Sequence, residues 1–119
     1  MIKHIAFTMY PVKDMARARG FYEDVLGLGK GNEKAGGKWV EFYLENGCFA
    51  ITNMTPVQPG ASMGGSIAFE VENLDAAMVK IAAANTVVKV PPFPTPVCRM
   101  AYVLDPEGNA VCLHEKKPA

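Results

Sequence analysis

The sequence has little that would commit it to a charged partner or an oxidising compartment. Its 12 Lys and Arg balance its 12 Asp and Glu. No field of one sign steers it toward nucleic acid or an anionic membrane, and neither partner is expected. Three cysteines, Cys48, Cys98 and Cys112, are odd in number and scattered. They do not make a disulfide framework and fit a reducing cytosol. No apolar run approaches the roughly 18 residues of a spanning helix. The first residues lack a basic segment followed by an apolar core, so no export signal is expected. The expectation is a soluble, cytoplasmic chain. Its 119 residues suit one compact domain, or two small modules sharing a core. Half of them are hydrophobic and a fifth are charged, an ordinary globular mix without a disorder signature.

What the chain does have is an internal echo at a period of about 60 residues. Val12-Lys13-Asp14 and the amphipathic stretch after it return as Val71-Glu72-Asn73 and another such stretch. Near the end of each half a glycine precedes a short apolar run, Gly47-Cys48-Phe49-Ala50-Ile51 and then Gly108-Asn109-Ala110-Val111-Cys112. Equivalent positions of a duplicated unit are expected to face one shared site.

Local patterns fill in each half. Residues 2–12 are β-rich, with Pro11 marking a strand end or an edge. Asp14 is a plausible N-cap. Met15, Ala18, Phe21, Tyr22, Val25 and Leu26 then form an apolar stripe at helical spacing, closed by Gly27 at the C′ position. Residues 29–37 hold four glycines and read as a loop with room for a short strand. Trp39–Leu44 and Cys48–Asn53 flank a Glu45-Asn46-Gly47 hairpin turn. In the second half, Ser66–Val71 is a strand, and Asn73 caps a helix with Leu74, Ala77, Met78 and Ile81 inward. Asn85 ends that helix. Thr86–Val90 is a short β-branched strand. Pro91–Pro96 cannot be sheet interior and reads as an extended loop, a rim or simply edge protection. Cys98–Leu104 and Asn109–Glu115 complete a hairpin around Asp105-Pro106-Glu107-Gly108. The expected domain is 1–119, made of a βαβββ module over 1–54, a linker over 55–65 and a second βαβββ module over 66–117. Two such modules give an α+β fold, a curved mixed and mostly antiparallel sheet with both helices on its convex side. The concave side is then a natural cleft.

Three stretches resemble the vicinal oxygen chelate superfamily, which contains glyoxalase I, bleomycin- and fosfomycin-resistance proteins and extradiol dioxygenases. They are Val12-x-Asp14…Phe21-Tyr22-x-Asp24-Val25-Leu26-Gly27-Leu28, then Ala68-Phe69-Glu70-Val71-x-Asn73-Leu74-Asp75-Ala76-Ala77, then Arg99…Asp105-Pro106-Glu107-Gly108-Asn109. The likeness covers nearly the whole chain and implies fold and superfamily rather than a reaction. It also implies where a metal would be held: five residues before the Val of each Val-x-Asp-like element, and four residues beyond each turn glycine. Those positions read Phe7, Ile51, Ser66 and Cys112. Histidines and carboxylates are wanted there. A phenyl ring, an alkyl chain, a neutral serine and one thiol are not a workable set for a divalent ion. The register of strand 48–53 is the open point, because a slip of one exchanges its faces. No cofactor is expected, with a divalent metal as the alternative.

Strand alternation extends the lining from those positions. Ile5 and Met9 accompany Phe7, Ala68 and Glu70 accompany Ser66, and Ala110 and His114 accompany Cys112. Trp39, Glu41 and Tyr43 share one strand face and Val40, Phe42 and Leu44 the other; the pattern leaves open which is inward. The expected ligand contacts are Phe7, Met9, Trp39, Ser66, Arg99 and Cys112, with Trp39 as a stacking platform and Arg99 as an anion anchor. Each has a plainer role available: core packing for Phe7 and Met9, a small buried hydrophobe for Cys112, a salt bridge to the Asp-Pro turn for Arg99. Glu70 and His114 are the candidate catalytic pair, a base and the group that orients it. The favoured reading is a metal-free binder of a small organic molecule of the bleomycin-resistance type, as a homodimer. A metal-dependent lyase or dioxygenase, a metal-free acid–base enzyme and a module that has lost its ligand are the alternatives.

Overall fold

The computed structural model describes residues 1, 3, 5–54, 58–60, 65–96 and 98–118. His4 and most of the expected linker, 55–57 and 61–64, lie outside the described residues. The chain divides into two compact units, Met1–Pro59 and Gly60–Ala119. Each runs β-α-β-β-β.

In the first unit, β1 (Thr8–Pro11), β2 (Asn32–Lys34), β3 (Trp39–Leu44) and β4 (Gly47–Thr52) form a sheet in the order β1-β4-β3-β2. The β1–β4 pair is parallel and the other two are antiparallel. Asp14 caps α1 (Met15–Arg19) by accepting the Arg17 N–H at 3.1 Å. The single α-helix expected from the apolar stripe instead widens into a π-helical segment over Gly20–Val25. There Leu26 N–H reaches back five residues to the Phe21 carbonyl at 2.9 Å. Gly27 closes the segment at φ 72°, the left-handed conformation expected of a C′ glycine. Tyr22 is wholly buried, with its ring against Phe42 and Phe49. Burying a side chain of this size stabilises the unit by about 2 kcal/mol. Arg19 pairs with Glu23 within the helical segment and reaches Glu33 at the sheet edge, and Glu23 also accepts the Gly31 N–H at 2.9 Å.

The second unit repeats the plan with β5 (Ile67–Glu70), α2 (Leu74–Ala83), β6 (Val88–Pro94), β7 (Cys98–Leu104) and β8 (Ala110–Lys116), in the order β5-β8-β7-β6. Asn73 caps α2 through the Ala76 N–H at 3.0 Å, and Asn85 follows the helix at φ 56°. Leu74 and Ile81 are the buried members of the expected stripe. The proline-rich stretch departs from expectation. Pro91–Pro94 continues β6 instead of forming a loop, pairing with β7 across two register shifts. The reason is its place at the edge. β6 has one strand neighbour, so prolines without N–H groups break no second ladder.

The β7–β8 turn organises itself around a buried carboxylate. Asp105 accepts the backbone N–H groups of Glu107 and Asn109 at 2.9 and 2.8 Å, and the Asn109 side-chain amide at 2.9 Å. Gly108 sits there at φ 83°.

Gly31 lies close against the β3 side chains. A Cβ built on it would overlap Val40 Cγ1 and press on the Phe42 ring, both buried. Gly31→Ala is expected to cost about 1–3 kcal/mol through overpacking, read as a lower midpoint in denaturant unfolding at unchanged m-value. An unchanged midpoint would show that Val40 yields freely.

Candidate functional site

Strand register decides which side chains are available. Tyr22 packs on Phe42 and Phe49, so in the first sheet the helix-facing set is Thr8, Tyr10, Val40, Phe42, Phe49 and Ile51. Alternation puts Met9, Trp39, Glu41, Tyr43, Cys48, Ala50 and Thr52 on the helix-free face. In the second sheet, Arg99 and Glu115 bond to the start of α2, through Asp75 and the Leu74 N–H. They share that face with the buried Phe69, Ala101, Val103, Val111 and Leu113. The helix-free face then carries Ala68, Glu70, Met100, Tyr102, Ala110, Cys112 and His114.

Two expectations fail on this register. Ile51 pairs with Val40 and Tyr10 and is wholly buried on the helix side. Counting from the glycines misplaced it, because the two glycines are not equivalent. Gly47 is itself the first residue of β4, opposite Leu44, whereas Gly108 lies inside the longer turn ahead of β8. The matching position to Cys112 on the helix-free face is Ala50. Arg99 is not an anion anchor: it points to the helix side and is held by Asp75 at 2.9 Å and Glu115 at 3.6 Å. It braces α2 and not the Asp105 turn.

The remaining residues fall as follows. Phe7 lies just ahead of β1, about half exposed, with its ring edge-on to Trp39 at 5.2 Å. Met9 is half-buried opposite Ala50, and Ser66 is exposed one residue before β5. Cys112 is buried beside Tyr102; burial pushes its thiol pKa up, partly offset by the tyrosine hydrogen bond. Glu70 and His114 are brought together, with His114 Nδ1 2.6 Å from Glu70 Oε1. The other oxygen, Oε2, accepts the Lys116 backbone N–H at 2.8 Å. That amide and His114 hold the Glu70 carboxyl below its usual range.

The sequence pattern had not marked Glu41 or Tyr102 as site residues. Glu41 accepts the Trp39 indole N–H at 2.9 Å and the Tyr43 hydroxyl, so three side chains at alternate positions of β3 form one hydrogen-bonded row. Those donors, Tyr43 foremost, hold its carboxyl below the ordinary range. The signal was present in the spacing of Trp39, Glu41 and Tyr43; only the direction of the face was missing. Tyr102 stacks on Phe93 at 6.4 Å, which adds an aromatic surface to the second sheet.

The donor set at the superfamily metal positions does not fit a divalent ion. Phe7 and Ala50 carry no donor atom, Ser66 offers a neutral hydroxyl, and burial disfavours the Cys112 thiolate. Among the described residues, no three His, Cys, Asp or Glu side chains gather as a metal-holding group. No helix among the described residues is long and apolar enough to cross a membrane.

A family model described as the Glyoxalase/Bleomycin resistance protein/Dioxygenase superfamily matches residues 2–113. Solved structures share the fold at low identity. A glyoxalase/bleomycin resistance protein from Albidiferax ferrireducens T118 is 26% identical at a TM-score of 0.76, with 95% of this chain and 98% of that chain covered. TnmS3, an antibiotic binding protein from Streptomyces sp. CB03234, is 23% identical at a TM-score of 0.77, with 98% of each chain covered. Lactoylglutathione lyase from Agrobacterium tumefaciens is 23% identical at a TM-score of 0.73, with 96% of this chain and 94% of that chain covered. No curated protein sequence matches the chain.

Trp39 is the sole tryptophan and touches Glu41, so its emission reports the state of that carboxylate. Hydrogen bonds to the ionised form depress the pKa. Stability from this row is therefore present above the ordinary glutamate pKa of about 4.3 and lost as pH falls through the lower folded value. An emission change with its midpoint below the ordinary range is expected, and Glu41→Gln should abolish it. A midpoint at or above that range would contradict the row.

Proposed function

The chain belongs to the Glyoxalase/Bleomycin resistance protein/Dioxygenase superfamily, and from that premise we propose that it is a metal-free member that binds a small, planar organic molecule. The observation that carries the reading is the aromatic row on the helix-free face of the first sheet. Phe7 and Trp39 meet edge-to-face, Tyr43 is 63% exposed, and Glu41 fixes the rings of Trp39 and Tyr43 from between them. Rings held this way lose little freedom when a flat ligand stacks on them, so their apolar area converts efficiently into affinity. The half-buried Met9 supplies apolar surface on the same face. The donor-poor superfamily positions favour binding without a Lewis acid over the metal-dependent lyase or dioxygenase reading. The likeness in fold to an antibiotic binding protein is consistent with this assignment. A homodimer in the cytoplasm, without nucleic acid or membrane as partner, completes the proposal.

The test uses protein purified without chelator or affinity metal. After dialysis against Ni, Zn, Mn and Fe in turn and desalting, the expected metal content is far below one ion per chain. Neutral planar aromatics should quench Trp39 saturably and raise the Tm, by the equivalent of about 2.7 kcal/mol at a hundredfold excess over Kd. Tyr43→Ala should weaken that binding about fivefold or more, the worth of one aromatic contact. Near-stoichiometric retained metal, or quenching that never saturates, would sink the reading.

A further inference from the structure

On the second sheet the helix-free face carries chemistry that stacking does not use. His114 lies between its β7 neighbour Met100 and its β5 neighbour Glu70, with Cys112 and Tyr102 one step along the same face. The Glu70 carboxylate is fixed at both ends: Oε2 takes the Lys116 backbone N–H at 2.8 Å and Oε1 meets His114 Nδ1 at 2.6 Å. An ionised carboxylate can only accept, so Nδ1 must carry the proton. The lone pair of a neutral His114 is thereby placed on Nε2, which has no partner among the described residues. The imidazole is about one-third exposed, enough for a small molecule to reach that nitrogen. The charged Arg99 and Glu115 occupy the opposite face and are committed to α2, as is Asp75. Among the described residues, the titratable groups that share this face with the imidazole are Glu70, Tyr102 and Cys112, with the Lys116 charge beside Glu70.

We propose that His114 is a general base acting through Nε2 on a small molecule with a weakly acidic C–H or O–H bond, and that Glu70 is its positioning residue. The proton leaves the substrate for Nε2 and makes an imidazolium. Its charge is balanced across the 2.6 Å hydrogen bond by Glu70, and the proton is afterwards passed to product or solvent. The stacked Tyr102 and Phe93 rings on the same face suit an aromatic substrate. This goes beyond binding, and it stands on the second sheet independently of the Trp39 row.

A benzisoxazole that opens on deprotonation is a direct probe. The base takes the ring C–H proton, the C–H electron pair becomes part of the nitrile, and the N–O bond breaks to give a coloured phenolate. No metal or nucleophile is required. With 5-nitrobenzisoxazole, the protein and its His4→Gln variant are expected to exceed free imidazole by about a hundredfold, the lower range for a placed base. His114→Gln should fall to the imidazole level. Glu70→Gln should lose about tenfold or more at retained fold, with the nitrogen-15 spectrum of His114 moving from the Nδ1–H form toward a mixture of tautomers. That spectral change separates positioning from mere support of the strand. A wild-type rate no faster than imidazole, a His114→Gln variant as fast as wild type, or an unchanged tautomer in Glu70→Gln would each overturn the proposal. None of these outcomes depends on whether Trp39 binds a ligand.

Discussion

In each unit the final strand is covered on both edges by neighbours, and its period-two alternation is the constraint on which the rest depends. Along β4, Phe49 and Ile51 are committed to the aromatic core under Tyr22. Along β8, Val111 and Leu113 are committed likewise. Once those residues are fixed by apolar burial, Ala50, Thr52, Cys112 and His114 have nowhere to go but the other face. A slip of one residue would turn Phe49, Ile51, Val111 and Leu113 away from the helices and aim Thr52 and His114 at them, at a cost of several kcal/mol. The chemistry of the helix-free faces is thus a by-product of where the helices find their hydrophobic partners.

Much of this was legible in the sequence. Caps at Asp14 and Asn73 and the stop at Gly27 follow from side-chain acceptors and a left-handed glycine, which are local properties. The twofold β-α-β-β-β plan follows from the internal echo. Glu70 and His114 fall on one face by alternation from Ser66 and Cys112, the positions that the superfamily resemblance supplies, and parallel pairing of β5 with β8 then puts them opposite each other. What failed was non-local. Ile51 was misassigned because turn lengths differ between the halves, and only the hydrogen-bond ladder says which residues correspond. Arg99 was expected on the wrong face because a lone arginine has no periodicity of its own; the neighbouring carboxylates Asp75 and Glu115 decide it. Glu41 is not legible as a site residue because nothing in Trp39–Tyr43 says which side of β3 the helix covers.

The two helix-free faces divide the labour differently. On the first sheet a carboxylate serves aromatic rings, receiving their N–H and O–H groups and holding them still. On the second a carboxylate serves an imidazole, setting which nitrogen carries the proton. Both Glu41 and Glu70 are stabilised in the ionised form by donors within their own sheet. Neither needs a metal to account for its placement. Superfamily membership supplies the scaffold, and these two carboxylates indicate how this chain has furnished it.

The proline-bearing edge of the second sheet has a consequence for assembly. Three of the seven residues of β6, Pro91, Pro92 and Pro94, have no amide hydrogen to offer. A strand laid alongside would meet a ladder with missing rungs, and the register shifts against β7 would keep even the remaining rungs from lining up. Growth of this sheet by annexing another strand is closed on that side. Copies of the chain that associate there must do so through side chains, a contact that can be remodelled by substitution without opening a route to fibrils.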